Sequence, residues 1–247
     1  MSKQDLIFRK PFMNAAGTLG FAPDYHAPVP WEDFGAFVTN PISLRARLPA
    51  REPAMIEYPG GLLLHTGLPN PGMNGVLKRH LSSWKDSSLP VIVHLMADRP
   101  EETKQMVTSL EGHDNILAVE LGFAPLLADD IFLVTLEMCV AELPLIFCLP
   151  HEQVLTMGPR LVEKGAAAIS LAAPRGALPQ GDQLITGRLT GPSLFPRAMD
   201  LVNSAVRLGL PVIGSGGVYS KENAEAMLSL GAQAVQFDSV LWRGFDQ

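Results

Sequence analysis

Cysteine is scarce: the 247 residues hold two, Cys139 and Cys148. They lack the C-x-x-C spacing and each sits in an apolar segment. A disulfide framework is therefore excluded, and both read as reduced core residues of a cytoplasmic protein. The six histidines (His26, His65, His80, His94, His113 and His151) are scattered. None forms an H-x-x-x-H or H-E-x-x-H pattern, so the sequence offers no metal site. Charged residues make up 18% of the chain and the net charge is −6, with no cluster of lysine and arginine. Nucleic acid and anionic membranes are thereby excluded as partners. No apolar run reaches the roughly 18 residues of a membrane span, and Met1–Asp5 lacks the apolar core of a secretory signal. What remains is 47% hydrophobic and suits a single soluble domain over residues 1–247 with a large core.

Apolar runs alternate with helical patterns along the chain. Strands are expected at 12–16, 36–42, 91–96, 116–122, 143–149, 166–173, 211–215 and 234–238. Most are continuously apolar, as parallel strands covered on both faces must be. Helices are expected at 100–111, 126–142, 151–164 with a break at Gly158-Pro159, 196–208, and from Lys221 to about Leu230. Pro100 suits a first turn, and Glu101 and Glu102 suit the positive end of a helix dipole. Eight strands in even alternation predict a (β/α)8 TIM barrel. An open doubly wound sheet is disfavoured because no G-x-G-x-x-G follows the first strand. Residues 44–80, after the second strand, form an excursion too long for a plain connection. They are expected to be a lid or insert whose first part is a small hairpin turning at Gly60-Gly61.

Chemistry in such a barrel gathers at the C-terminal ends of the strands. Pro211-Val212-Ile213-Gly214-Ser215-Gly216-Gly217 runs from the seventh strand into a glycine loop followed by a helix N-terminus. That is the makings of a phosphate cradle at the position where barrels bind phosphate.

Several segments carry a family resemblance covering most of the chain. Met13-Asn14-Ala15-Ala16-Gly17-Thr18, Phe37-Val38-Thr39, Tyr58-Pro59-Gly60-Gly61, Gly67-Leu68-Pro69-Asn70-Pro71-Gly72, Gly187-Arg188-Leu189-Thr190-Gly191-Pro192 and Ile213-Gly214-Ser215-Gly216-Gly217-Val218 together resemble the dihydroorotate dehydrogenases, FMN-dependent barrel oxidoreductases acting on CH–CH groups in pyrimidine metabolism. The resemblance implies an FMN whose phosphate rests on Gly216 and Gly217. It implies Ala15, Ala16 and Gly17 behind the flavin and Asn40, Gly191, Gly214 and Ser239 as further cofactor contacts. Asn70 and Asn40 are implied to meet the substrate.

The sequence also departs from that pattern. Asn40 and Cys148 stand where the family has lysines. Phe123 and Ala124 occupy a loop that normally supplies the catalytic base. Ala172-Ala173 replaces an asparagine and a hydroxyl residue, His94 replaces an asparagine, and Asp238-Ser239 replaces a Gly-Thr pair. Without that base, dihydroorotate oxidation lacks its proton acceptor. The candidates for its replacement are His94, Glu120 and Cys148. Asp238 beside the cradle would repel a phosphate.

Two alternatives stand beside an altered flavin oxidoreductase: a catalytically inactive barrel serving as a structural or regulatory subunit, and a non-flavin barrel that binds a phosphorylated small molecule. The family's closing helix is absent from the sequence. An oligomer, with like or unlike subunits, is expected to cover the flank bearing Trp242 and Phe245.

Overall fold

The computed structural model describes residues 6–125, 127–140 and 142–244; Phe245 lies outside them. The eight expected strands are present as β1 (Phe12–Asn14), β2 (Phe37–Val38), β5 (Val91–Met96), β6 (Ile116–Gly122), β7 (Leu145–Leu149), β8 (Ala168–Leu171), β11 (Val212–Gly214) and β12 (Ala234–Phe237). They form one parallel sheet in the order β1-β12-β11-β8-β7-β6-β5-β2. Helices α1 (Gly72–Lys85), α2 (Pro100–Thr108), α3 (Asp129–Cys139), α4 (Val154–Lys164), α5 (Phe195–Arg207) and α6 (Lys221–Ser229) lie between successive barrel strands. The fold is an α/β TIM barrel.

Local chemistry sets several of these boundaries. Pro100 opens α2 with Glu101 and Glu102 behind it. Ser220 caps α6 by accepting from the backbone N–H of Asn223, while the Asn223 side chain accepts from Tyr219 N, a reciprocal cap. The expected break at Gly158-Pro159 does not occur, and Pro159 lies inside an unbroken α4. Gly158 has no Cβ to clash with the pyrrolidine ring, which removes one of the usual costs of a helix before proline. The expected excursion over 44–80 also needs correction: α1 begins at Gly72, so its last quarter is barrel helix. The first part is the predicted hairpin, β3 (Ala54–Tyr58) and β4 (Gly61–His65). A second hairpin was not expected: β9 (Arg175–Gln180) and β10 (Gln183–Thr190) pair with it as a four-stranded antiparallel sheet ordered β3-β4-β10-β9.

The ends of the barrel sheet, β1 and β2, meet at a seam where a side chain replaces ladder bonds. Gly35 N donates to Phe12 O. Beyond that, the buried Asn14 amide donates to Val38 O at 2.6 Å and accepts from Val38 N at 2.9 Å. Asn14→Leu would orphan both backbone groups, each worth about 1–3 kcal/mol when left unpaired in the interior. It is expected to lower unfolding free energy in urea by about 2–4 kcal/mol. A loss under about 1 kcal/mol would show that other contacts hold the seam. Beside the seam, Phe12 meets Phe237 edge-on and Phe34 stacks on Phe237, while Trp242 is 44% exposed.

Inside the barrel, Met13, Val38, Ile92, Ala118, Ile146, Ala168, Ile213 and Ala234 form an apolar floor, one residue from each strand. Larger and smaller side chains alternate around much of it, which fills a tapering interior. Strand side chains repeat every second residue. Two positions further along the strands, the next layer therefore contains His94, Glu120, Cys148, Ser170, Ser215 and Gln236. The polar site stands directly on the apolar floor.

Candidate functional site

Above the floor opens a cavity of about 850 Å³, lined by His94, Glu120, Cys148, Ser215 and Gln236 of that layer together with Ala15, Ala16, Gly17, Phe123, His151, Arg188, Gly216 and Asp238. Its deepest polar feature is a dyad. His94 Nδ1 lies 2.6 Å from Glu120 Oε2. The other carboxylate oxygen, Oε1, accepts from Ser170 Oγ at 2.6 Å and from Gln236 Nε2 at 2.9 Å. Glu120 is 1% exposed. Burial would raise its carboxyl pKa; the hydrogen bond and charge of His94, with the donors from Ser170 and Gln236, outweigh burial and hold it below the ordinary value. The carboxylate is thus ionised and fully engaged. It draws the imidazole proton to Nδ1 and leaves Nε2 to face the cavity. Gly122 makes this placement possible, since a Cβ there would lie 2.3 Å from His94 Nε2.

Cys148 sits beside the dyad. Burial, then the nearby Glu120 charge, push its thiol pKa far up, so it stays protonated and is a poor nucleophile. The loop after β6 carries no base: Phe123 packs against Phe132 and Phe147, and Ala124 N donates to Asp98.

The residues expected to hold FMN and substrate divide into two groups. Ala15, Ala16, Gly17, Gly216 and Ser239 line the cavity. Asn40, Gly191, Gly214, Gly217 and Asn70 do not. Asn40 exchanges hydrogen bonds with Gly20. Gly214 lies against Met227 and Gly191 against Gly60 and Gly61, so both are packing glycines. Asn70, expected to meet substrate, instead builds its own loop. Its Oδ1 accepts from Ser43 N, Ser43 Oγ and Gly72 N, and its Nδ2 donates to Leu68 O. Lys221, a conceivable phosphate partner, pairs with Asp33 at 2.6 Å.

The phosphate cradle is filled by the protein itself. The Asp238 carboxylate takes the backbone N–H groups of Gly217 and Ser239 and the hydroxyls of Thr190 and Ser239, the last at 3.2 Å. Ser239 Oγ is also 2.8 Å from Thr190 Oγ1 and 2.7 Å from the Tyr219 hydroxyl. Burial raises the Asp238 pKa and these hydrogen bonds only partly restore it. On the opposite side, the Arg188 guanidinium lies over Gly17, where an added Cβ would come within 3.2 Å of it. The residues present therefore do not fit FMN as they stand: Asp238 takes donors of the cradle that the resemblance assigns to its phosphate, and Arg188 lies over a residue expected behind its ring.

Ser170, Gln236, Gly122, Asp238 as cradle filler, Arg188 and His151 are the site features that sequence motifs did not bring together. The period-two step from the apolar floor would have found the first two.

Comparisons with known proteins follow this geometry. A family model described as "Dihydroorotate dehydrogenase" matches residues 3–123. The chain is 27% identical over 254 residues to the "Dihydroorotate dehydrogenase B (NAD(+)), catalytic subunit" of Trichlorobacter lovleyi, covering 94% of this chain and 83% of that one. It is 29% identical over 267 residues to the protein of the same name from Geotalea daltonii, covering 96% and 87%. Among solved structures, ligand-free DHODH from Eimeria tenella superimposes with a TM-score of 0.74 at 16% identity, covering 99% of this chain and 82% of that one. A FabK mutant from Thermotoga maritima gives 0.56 at 15% identity, covering 95% and 63%. At these identities the structures speak for the fold, while the curated relatives and the family model speak for descent. The family model and the curated relatives support a divergent member of the dihydroorotate dehydrogenase family.

Proposed function

We propose that this chain is an oxidoreductase-type barrel of its family with an altered active site. In this reading, His94 held by Glu120 exchanges the proton, and dihydroorotate is not the substrate. The observation that carries the proposal is the 2.6 Å contact between His94 Nδ1 and Glu120 Oε2 on the cavity floor. A buried, ionised carboxylate fixes the imidazole's orientation and tautomer. As a base His94 would take up a proton at Nε2, and Glu120 would stabilise the imidazolium. FMN is the redox group that the family resemblance brings. Because Asp238 and Arg188 stand in its way, the proposal rests on the dyad and routes no step through a flavin.

Two features argue against dihydroorotate. The loop after β6 offers no acceptor for its proton, and the Asn70 amide is tied into its own loop through Oδ1 and one Nδ2–H.

The test is an assay of dihydroorotate oxidation with NAD+, a quinone and a dye as alternative acceptors, with FMN supplied in excess. No turnover above background is expected; a sustained rate would overturn the proposal. Once a substrate is found, His94→Gln is expected to lower kcat by about 10²–10⁴, the usual contribution of a positioned acid or base.

A further inference from the structure

We infer that the cavity binds a small organic anion, a carboxylate or a phosphate monoester, with its charged end on Arg188 and a polar contact to His151. Arg188 projects from β10 into the cavity, half-buried, over Gly17. Among the described residues its guanidinium makes no hydrogen bond and no ion pair. Its cross-strand neighbour is another cation that lines the cavity, Arg175. A guanidinium withdrawn from water without a partner is costly, and the structure holds that cost without an internal return.

The acidic residues that line the cavity do not supply the missing partner. Glu120 has both oxygens engaged by His94, Ser170 and Gln236. Asp238 is enclosed by Gly217, Thr190 and Ser239. Asp98 accepts from Ala124 N, and Glu152 pairs with Arg197. The charge that matches Arg188 must therefore come from outside the chain.

His151 points to a ligand independently. It lines the same cavity at 5% exposure, and neither ring nitrogen has a hydrogen-bond partner. Burial, reinforced by the charge of Arg197, lowers its pKa and keeps the ring neutral. It thus presents one N–H donor and one lone pair, both unused. Native interiors rarely leave such atoms unpaired unless something binds them. An unpaired cation and an unpaired neutral imidazole in one mostly apolar cavity suit an organic molecule with an anionic end and a further polar group.

The experiment is isothermal titration with benzoate and with phenyl phosphate, which share a ring and differ in the anion. Wild-type protein is expected to bind at least one of them, and the tighter arm names the anion. Arg188→Met is expected to weaken that binding at least about tenfold, the loss of a charge-assisted, two-point contact. The same variant is expected to melt at the same or a higher temperature, because it removes an unpartnered charge. Equal affinity in Arg188→Met, a lowered melting temperature, or no binding of either anion by wild type at millimolar concentration would each overturn the inference. Because binding is read at equilibrium, repeating the titration in His94→Gln separates this inference from the acid–base proposal.

Discussion

Asp238→Gly is expected to tighten FMN binding by on the order of 10³, from the removal of one unit charge about 4 Å from the phosphate at a near-surface dielectric. The glycine loop, the Thr190 and Ser239 hydroxyls and the start of α6 are otherwise in place. Emptying the cradle therefore frees its donors for the phosphate in the same step that removes the repulsion. Asp238→Asn serves as the control that keeps the shape and removes the charge. Fluorescence titration of FMN against the three proteins reads the outcome, and affinities equal within twofold would refute the account of the cradle. The effect also has a pH signature. Burial holds the Asp238 pKa above its ordinary value, so as pH falls this carboxyl takes up its proton earlier than an exposed aspartate does. FMN affinity of the wild type should rise as pH falls through that raised value. Asp238→Gly should lack this component. The same shift makes ionised Asp238 a stability cost: its favourable contribution is complete below the unfolded pKa and is lost as pH climbs through the folded one.

The second large effect concerns Glu120. Glu120→Ala would leave His94, Ser170 and Gln236 without their shared acceptor in a buried layer of the barrel. Removing one member of a buried pair costs about 3–5 kcal/mol, and a loss of that size is expected in urea unfolding at neutral pH. Glu120→Gln should cost less, because one amide oxygen still accepts while its NH2 opposes a donor. The sign of the pH dependence is opposite to that of Asp238. The Glu120 pKa is lowered in the folded protein. Its stabilisation is therefore complete above the ordinary carboxylate range and disappears as pH falls through the lowered folded value. The wild type should lose stability over that acid interval, and Glu120→Gln should lose less. A Glu120→Ala protein within about 1 kcal/mol of wild type would mean that the dyad is not the buried hydrogen-bonded pair described above.

Strand by strand, the barrel was legible because parallel strands buried on both faces leave continuous apolar runs, as at Val91–Met96 and Leu145–Leu149. The β9–β10 hairpin was not. Its strands alternate in exposure and include Pro179 and two charged positions, so no apolar continuity marks it, and its one signal is the two-residue turn Gly181-Asp182. The site was half legible. His94 and Glu120 could be named as candidates, but their contact depends on the parallel register that places residue 94 opposite residue 120. The loop contacts of Asn70 were not legible, because an asparagine in a rigid proline-glycine turn looks the same whether its amide faces a ligand or its own backbone. The sequence places Asp238 beside the cradle; that it takes donors of the cradle for itself depends on loop geometry.

Gly122 has a bearing on how such a site could arise by mutation. With any side chain at that position, the imidazole of residue 94 has no room beside Glu120. A lineage acquiring this dyad must therefore have held the glycine before, or together with, the histidine. Histidine at 94, glutamate at 120 and glycine at 122 form a three-letter signature by which other chains with the same altered site can be sought. A chain with the first two and a bulkier third residue should not have the dyad.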